Sequence, residues 1–141
     1  MNQGKYVFAQ VVTFLPARIF DRCVRKHQGD KWVKHFTCWN QLLCMMFGQL
    51  SNRDSLRDLL VCITAHQPKH YHLGFGKTVS RSNLAEANEK RDYRIFEQFA
   101  YELIAEAQKC CIPDSDFNLS IKGNVYALDT TVIDLCLNVF W

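Results

Sequence analysis

Between residues 79 and 96 the chain reads Val79-Ser80-Arg81-Ser82-Asn83-Leu84-Ala85-Glu86-Ala87-Asn88-Glu89-Lys90-Arg91-Asp92-Tyr93-Arg94-Ile95-Phe96, and no other stretch narrows the choice of fold as much. Ser80 is a helix N-cap residue type, and the strong helix formers behind it run without Gly or Pro, which predicts a helix from about Arg81. Its first turn carries Arg81, Ser82 and Asn83, short or forked donors suited to base edges and phosphates at the tip of a recognition helix. From Ile95 onward Phe96, Phe99, Ala100, Leu103 and Ala107 recur at helical spacing, so the same helix is expected to enter the core with its second half. A capped surface helix that binds nothing is the commoner source of such a local pattern, and the rest of the chain has to decide between the two.

Charge is the first wider observation. The formal net charge is only +3, yet the first 94 residues sum to +8 and the last 47 to −5. A basic front is the electrostatic footprint of a polyanion binder, whereas an acidic end repels phosphate unless a metal ion intervenes. The 141 residues, 48% hydrophobic and 22% charged, suit one ordinary globular core or a domain with the beginning of another. Seven scattered cysteines without a Cys-x-x-Cys pair read as reduced, small core residues of a cytoplasmic protein. The best zinc candidate, His70-x-His72 with Cys62 and His66, is looser than a zinc site requires. The apolar stretch that ends at Pro16 is too short for a secretory signal, and no run is long enough to span a membrane.

Along the chain, Phe8, Val11, Val12 and Leu15 predict a short helix over 6–15, and Pro16 opens a second over 16–27. That second helix puts Ile19, Phe20, Cys23 and Val24 on one face and Arg18, Arg22, Arg25 and Lys26 largely on the other, with Gly29 as its stop. Asp30 can cap a segment over 31–36, which leads into Thr37 to Phe47, apolar on nearly every side and expected to be the central buried helix. Ser51 to Asp54 read as a turn, and Ser55-Leu56-Arg57-Asp58 has capping-box spacing for a helix through Leu59, Leu60 and Ile63. Residues 66–79 form a long connection with a helical turn at Tyr71-His72-Leu73, so 55–94 is helix-turn-helix-like rather than a standard helix-turn-helix. Cys110 to Asp116 then break the helix, and 110–124 is expected to connect two domains.

The segment from Val125 to Trp141 has different chemistry. Its β-branched and aromatic content behind Gly123-Asn124 predicts a strand or hairpin. Asp129 within so apolar a run is costly to bury unless it is paired or bound to metal, although a strand end at Asp129-Thr130-Thr131 satisfying backbone donors is an equal reading.

Ala127-Leu128-Asp129-Thr130-Thr131-Val132-Ile133-Asp134 resembles the first catalytic motif of DDE transposases of the insertion-sequence-four family. Residues 1–94 resemble the N-terminal domain of that family, including Val79 to Leu84 and Asn88-Glu89-Lys90-Arg91-Asp92. The family commonly has Ser where this chain has Thr130, which keeps the hydroxyl, and Thr where it has Val132. The resemblance implies a helical DNA-binding domain ahead of an RNase H-like catalytic domain whose first strand carries a metal-binding aspartate, here Asp129. In such enzymes a pair of Mg2+ ions held by carboxylates activates water or a DNA 3′-hydroxyl for strand cleavage and transfer. Asp134 lies on the opposite face of an unbroken strand from Asp129 and cannot readily share a metal with it. The resemblance implies three carboxylates, of which the second Asp and the Glu would lie beyond Trp141, so only the first is expected in this sequence.

The expected architecture is therefore mainly α: a helical DNA-binding domain over 1–109, the connection over 110–124, and over 125–141 the first strand or hairpin of an incomplete RNase H-like domain. The expected function is that of the N-terminal portion of a transposase which binds transposon-end duplex DNA. It is cytoplasmic, nucleoid-associated when bound, inactive alone in strand transfer and unable to hold Mg2+ stably. Arg81, Ser82 and Asn83 are the candidates for base or groove contact, Lys77, Lys90, Arg91 and Arg94 for phosphate, with Arg53 and Arg57 behind them, and Asp129 for catalysis and metal. The alternative is a truncated regulatory protein that forms homo-oligomers or pairs with full-length transposase through the apolar face from Trp39 to Phe47 and inhibits it. Salt separates the two, because binding through phosphates weakens steeply with salt and apolar pairing does not.

Overall fold

A computed structural model describes residues 6–76 and 79–111, without the side chain of Cys111. The chain divides into units 1–110 and 111–141, and all but the last of the described residues belong to the first unit. The helices are α1 (Val7–Thr13), α2 (Ala17–Lys26), α3 (Cys38–Leu50), α4 (Leu56–Ala65), the short α5 (His70–Leu73) behind a 3-10 turn at Gln67–Lys69, α6 (Arg81–Lys90) and α7 (Arg94–Cys111). Among the described residues there is no strand; the strand expected over 125–141 lies outside them. No described helix is long and apolar enough to cross a membrane.

The most apolar stretch of the chain becomes the middle of this unit. Thr37 caps α3 by accepting from the Asn40 amide at 3.3 Å, and Asp30 adds a carboxylate oxygen 2.7 Å from the Cys38 amide, so two orphan donors of the first turn are satisfied. On one side Leu43 and Cys44 join Phe8, Leu59, Leu60, Ile63, Leu73, Phe75, Val79, Leu84 and Ala87 in a cluster that gathers α1, α4, α5 and α6. On the other, Cys38 joins Phe20, Cys23, Val24, Ile95 and Phe99 of α2 and α7. Phe20 is the hub there, with its ring centroid 5.5, 6.0 and 5.0 Å from those of Trp39, Phe96 and Phe99. Burial pushes the thiols of Cys38 and Cys44 up to about 12, which suits packing rather than chemistry.

Several caps are where local spacing puts them. Ser55 accepts from the Asp58 amide at 3.1 Å to start α4, and Ser80 from the Asn83 amide at 3.2 Å to start α6. Helix α2 ends in a Schellman turn, the Gly29 amide donating to the Val24 carbonyl at 3.0 Å and the Gln28 amide to that of Arg25 at 3.2 Å. The left-handed residue of that turn is Gln28, at φ 52°, rather than Gly29. Gly29 serves a different need: a Cβ there would collide with Ile95 Cδ1 and sit 2.7 Å from Cys38 Sγ, so it is the point where the loop presses on α3 and α7.

Two expectations are corrected. Residues 31–36 are turn and irregular backbone rather than helix, because Trp32 takes a left-handed conformation, at φ 66°, and Asp30 caps α3 instead. The helix predicted to run unbroken from Arg81 is two helices. Arg91 leaves α6 in an extended conformation at φ −76°, ψ 143°, and Asp92 starts α7 by accepting from the Arg94 amide at 3.0 Å. An Asp that caps a new helix competes with continuation of the old one. Of the apolar positions read into the core from this stretch, Ile95 and Phe99 are buried, Phe96 and Leu103 are half-buried, and Ala100 and Ala107 are exposed. The basic face of α2 turns partly to α7: Arg22 pairs with Glu102 at 3.0 Å, and Lys26 donates to Gln98 at 3.1 Å.

Replacing Gly29 by Ala should lower the unfolding free energy by about 1 to 3 kcal/mol through overpacking. An unshifted denaturant midpoint would show that the loop does not press on Ile95 as described. The Arg94 guanidinium forks onto Asp92, and this contact, followed by the Arg94 amide, holds the Asp92 carboxyl down from 3.8 to about 2. The stability it contributes is complete above the ordinary carboxylate range and lost as pH falls through about 2. An NMR titration should place the Asp92 midpoint there, and Arg94→Ala should return it toward the ordinary range; an ordinary midpoint in the unaltered chain contradicts the cap.

Candidate nucleic-acid interface

Helix α6 has a narrow anchor and a wide outer face. Only Leu84 and Ala87 are buried; Arg81, Ser82, Asn83, Ala85, Glu86, Asn88, Glu89 and Lys90 are exposed. Its first turn is nevertheless held firmly. Ser80 caps it, while Val79 before the cap and Leu84 within the helix lie in the same apolar cluster, as a hydrophobic staple does. The amide end of a helix, with its partial positive charge, thus carries the three side chains expected at a recognition tip.

The flank of this turn is formed by α4, whose Leu59, Leu60 and Ile63 face the core. Arg57, Leu60, Val61 and Thr64 of α4, together with Arg81 of α6, line a shallow groove of about 340 Å3. Arg57 and Arg81 are both exposed, and neither has an ion-pair partner among the described residues. Two guanidinium groups from different helices therefore share one concavity, and no acid among the described residues pairs with either. On the other side of the same turn, Asn83, Glu86 and Lys90 form one wall of a larger groove of about 680 Å3, whose opposite wall is the loop from His27 to Phe36.

The remaining predicted phosphate contacts are engaged elsewhere. Lys90 binds Glu86 at 2.6 Å, a hydrogen bond that lowers the Glu86 pKa and raises that of Lys90. Arg94 is forked on Asp92, its Nη2 at 2.7 Å, and Arg53 lies 3.4 Å from Asp58, lining a different concavity with Ser55 and Leu59. Arg91 is the clearest departure. Its side chain is only 9% exposed; it donates to Gln41 Oε1 at 2.9 Å and to the Phe36 carbonyl, lies 3.9 Å from Asp30, and covers the Phe36 ring at 5.4 Å. It is a structural cation that ties α6 to α3 and to the loop before it, and a surface phosphate contact does not suit it. Lys77 and Asp129 lie outside the described residues.

The expected pairing face from Trp39 to Phe47 is largely consumed by the core, since Leu43 and Cys44 are fully buried and Trp39, Met45, Met46 and Phe47 pack against the apolar clusters. Among the loosely gathered zinc candidates, His70 is buried with Nε2 2.8 Å from the Ile63 carbonyl, and His66 Nδ1 is 2.8 Å from that of Cys62. No group of three or more potential metal ligands occurs among the described residues. Two features went unread in the sequence. One is Gln41, which with Asn40 is a buried amide in an apolar helix and had to have a partner. The other is Trp32, 90% exposed between Lys31 and Lys34, where an aromatic flanked by lysines was the available sign.

No curated protein and no solved structure matches the chain. A family model described as a domain of unknown function, DUF4372, matches residues 3–76, just over half of the sequence and the part that runs from α1 through α5. That domain is found in transposase-like proteins. The chain belongs to the DUF4372 family.

Proposed function

We propose that this chain is the N-terminal portion of a transposase and that its helical unit binds the duplex DNA of transposon ends, in the cytoplasm and on the nucleoid. The observation that carries the reading is the groove at the α4–α6 junction, where Arg57 and Arg81 stand exposed without an ion-pair partner among the described residues, beside the capped first turn of α6. The transposase-like setting of the family and the +8 charge of the first 94 residues support it. In this reading the N-terminal turn of α6 enters the major groove with Arg81, Ser82 and Asn83 toward base edges, and Arg57 contacts phosphate from the flank. Lys90 and Arg94, each already holding a carboxylate, add little net charge at the DNA, and Arg91 acts only by fixing α6 in place.

Asp129, in the motif that resembles the first catalytic segment of the insertion-sequence-four family, would contribute one ligand to the Mg2+ pair that such enzymes use for strand cleavage and transfer. The described residues carry DNA recognition, not that chemistry.

Selection of duplexes from a random pool by the full chain should yield a preferred sequence. Arg81→Ala should then cost about 1 to 3 kcal/mol on that sequence and relax the preference at one position. Arg57→Ala should weaken binding to all duplexes alike and make the salt dependence shallower by about one phosphate. Unchanged sequence preference and unchanged salt slope in both variants would contradict the interface.

A further inference from the structure

Trp32 is placed as a binding residue rather than a packing residue. The residue is 90% exposed, and its backbone sits at φ 66°, a left-handed conformation that a bulky residue adopts only when its surroundings impose it. The loop that imposes it is braced at both ends: Gly29 presses on Ile95 and Cys38, Asp30 caps α3, and the Phe36 carbonyl is held by Arg91. Between that loop and α6 runs the 680 Å3 groove.

The charge of this groove favours an anion. Of the two carboxylates that line it, Glu86 is bound by Lys90 and Asp92 by Arg94. Of its lysines, Lys31 only donates to the neutral Gln28 amide at 3.1 Å, and Lys34 has no partner among the described residues. An exposed indole with two lysines beside it is the combination that holds a nucleobase on its face and the adjoining phosphates at its edges. The groove and the proposed duplex site flank the same turn, because Asn83 lines the one while Arg81, two residues earlier, lines the α4 groove on the other side.

We infer that the groove between residues 27–36 and α6 takes unpaired nucleotides of a DNA strand that extends beyond the duplex, with Trp32 stacked on a base and Lys31 and Lys34 on its phosphates. This rests on the duplex-binding reading above, since the strand is led there by the duplex lying across the first turn of α6.

The test compares a blunt duplex with the same duplex carrying a short single-stranded extension that contains 2-aminopurine, each titrated with the full chain. The extension should tighten binding, and its fluorescence should be quenched on stacking. Trp32→Ala should weaken binding of the extended duplex by about tenfold and remove the quenching, while leaving blunt-duplex binding unchanged. Trp32→Phe should retain most of both effects, and because the side chain is exposed, the circular dichroism of either variant should match the unaltered chain. Equal binding of both duplexes by the unaltered chain, or a Trp32→Ala protein that keeps the quenching, overturns the inference while the duplex reading stands. Quenching of the extension by a chain that ignores blunt duplex supports the stacking of a base on Trp32 and sinks the duplex reading, with the route by which a duplex leads the strand there.

Discussion

A hydrogen-bonded knot around the buried Gln41 sets the orientation of α6 against α3 and the loop before it. Gln41, 4% exposed on α3, donates to Asn88 Oδ1 at 2.7 Å and accepts from Arg91 at 2.9 Å, so both ends of its amide reach α6 or the residue that ends it. The other guanidinium nitrogen of Arg91 is held by the Phe36 carbonyl, with Asp30 close by. Helix α6 buries only Leu84 and Ala87, too little apolar surface to fix its rotation. A directional network does what a greasy stripe cannot, and it is exacting, since removal of one partner leaves buried polar groups unpaired at about 1 to 3 kcal/mol.

From that constraint the polarity of α6 follows. At and just beyond its C-terminal end Lys90, Arg91 and Arg94 are bound by Glu86, by Gln41 and the Phe36 carbonyl, and by Asp92. At its N-terminal end Arg81 has no acid beside it among the described residues, and the first turn lies between two grooves. The cations of this stretch divide into those that hold the helix and those that it presents. A count of basic residues cannot make that distinction, because it depends on partners supplied by α3 and by the loop before it.

What could be read from the chain is what depends on near neighbours. Ser55 and Ser80 cap helices through amides three residues on, and the apolar run from Thr37 places α3 between the two clusters. Residue spacing was misleading where a long-range or a competing local contact won. Helical periodicity on both sides of Asp92 concealed a break that one carboxylate creates by capping Arg94. Arg91 looked like a phosphate contact because its partner Gln41 is fifty residues away. Trp32 was legible only as part of a short helix, since nothing local announces that Gly29 and Asp30 are pinned to other elements and leave the indole outside. The apolar residues of α3, expected both as the central buried helix and as a surface for a second chain, are largely taken up by the chain's own core.

The most direct measurement of this account is a double-mutant cycle on Gln41→Ala and Arg91→Ala, followed by chemical denaturation. The two residues are in contact within one hydrogen-bonded network, so the changes should fail to add, with a coupling of about 0.5 to 3 kcal/mol. Additivity within about 0.3 to 0.5 kcal/mol would mean that the pair is not coupled, and that α6 is held by something other than the amide of Gln41.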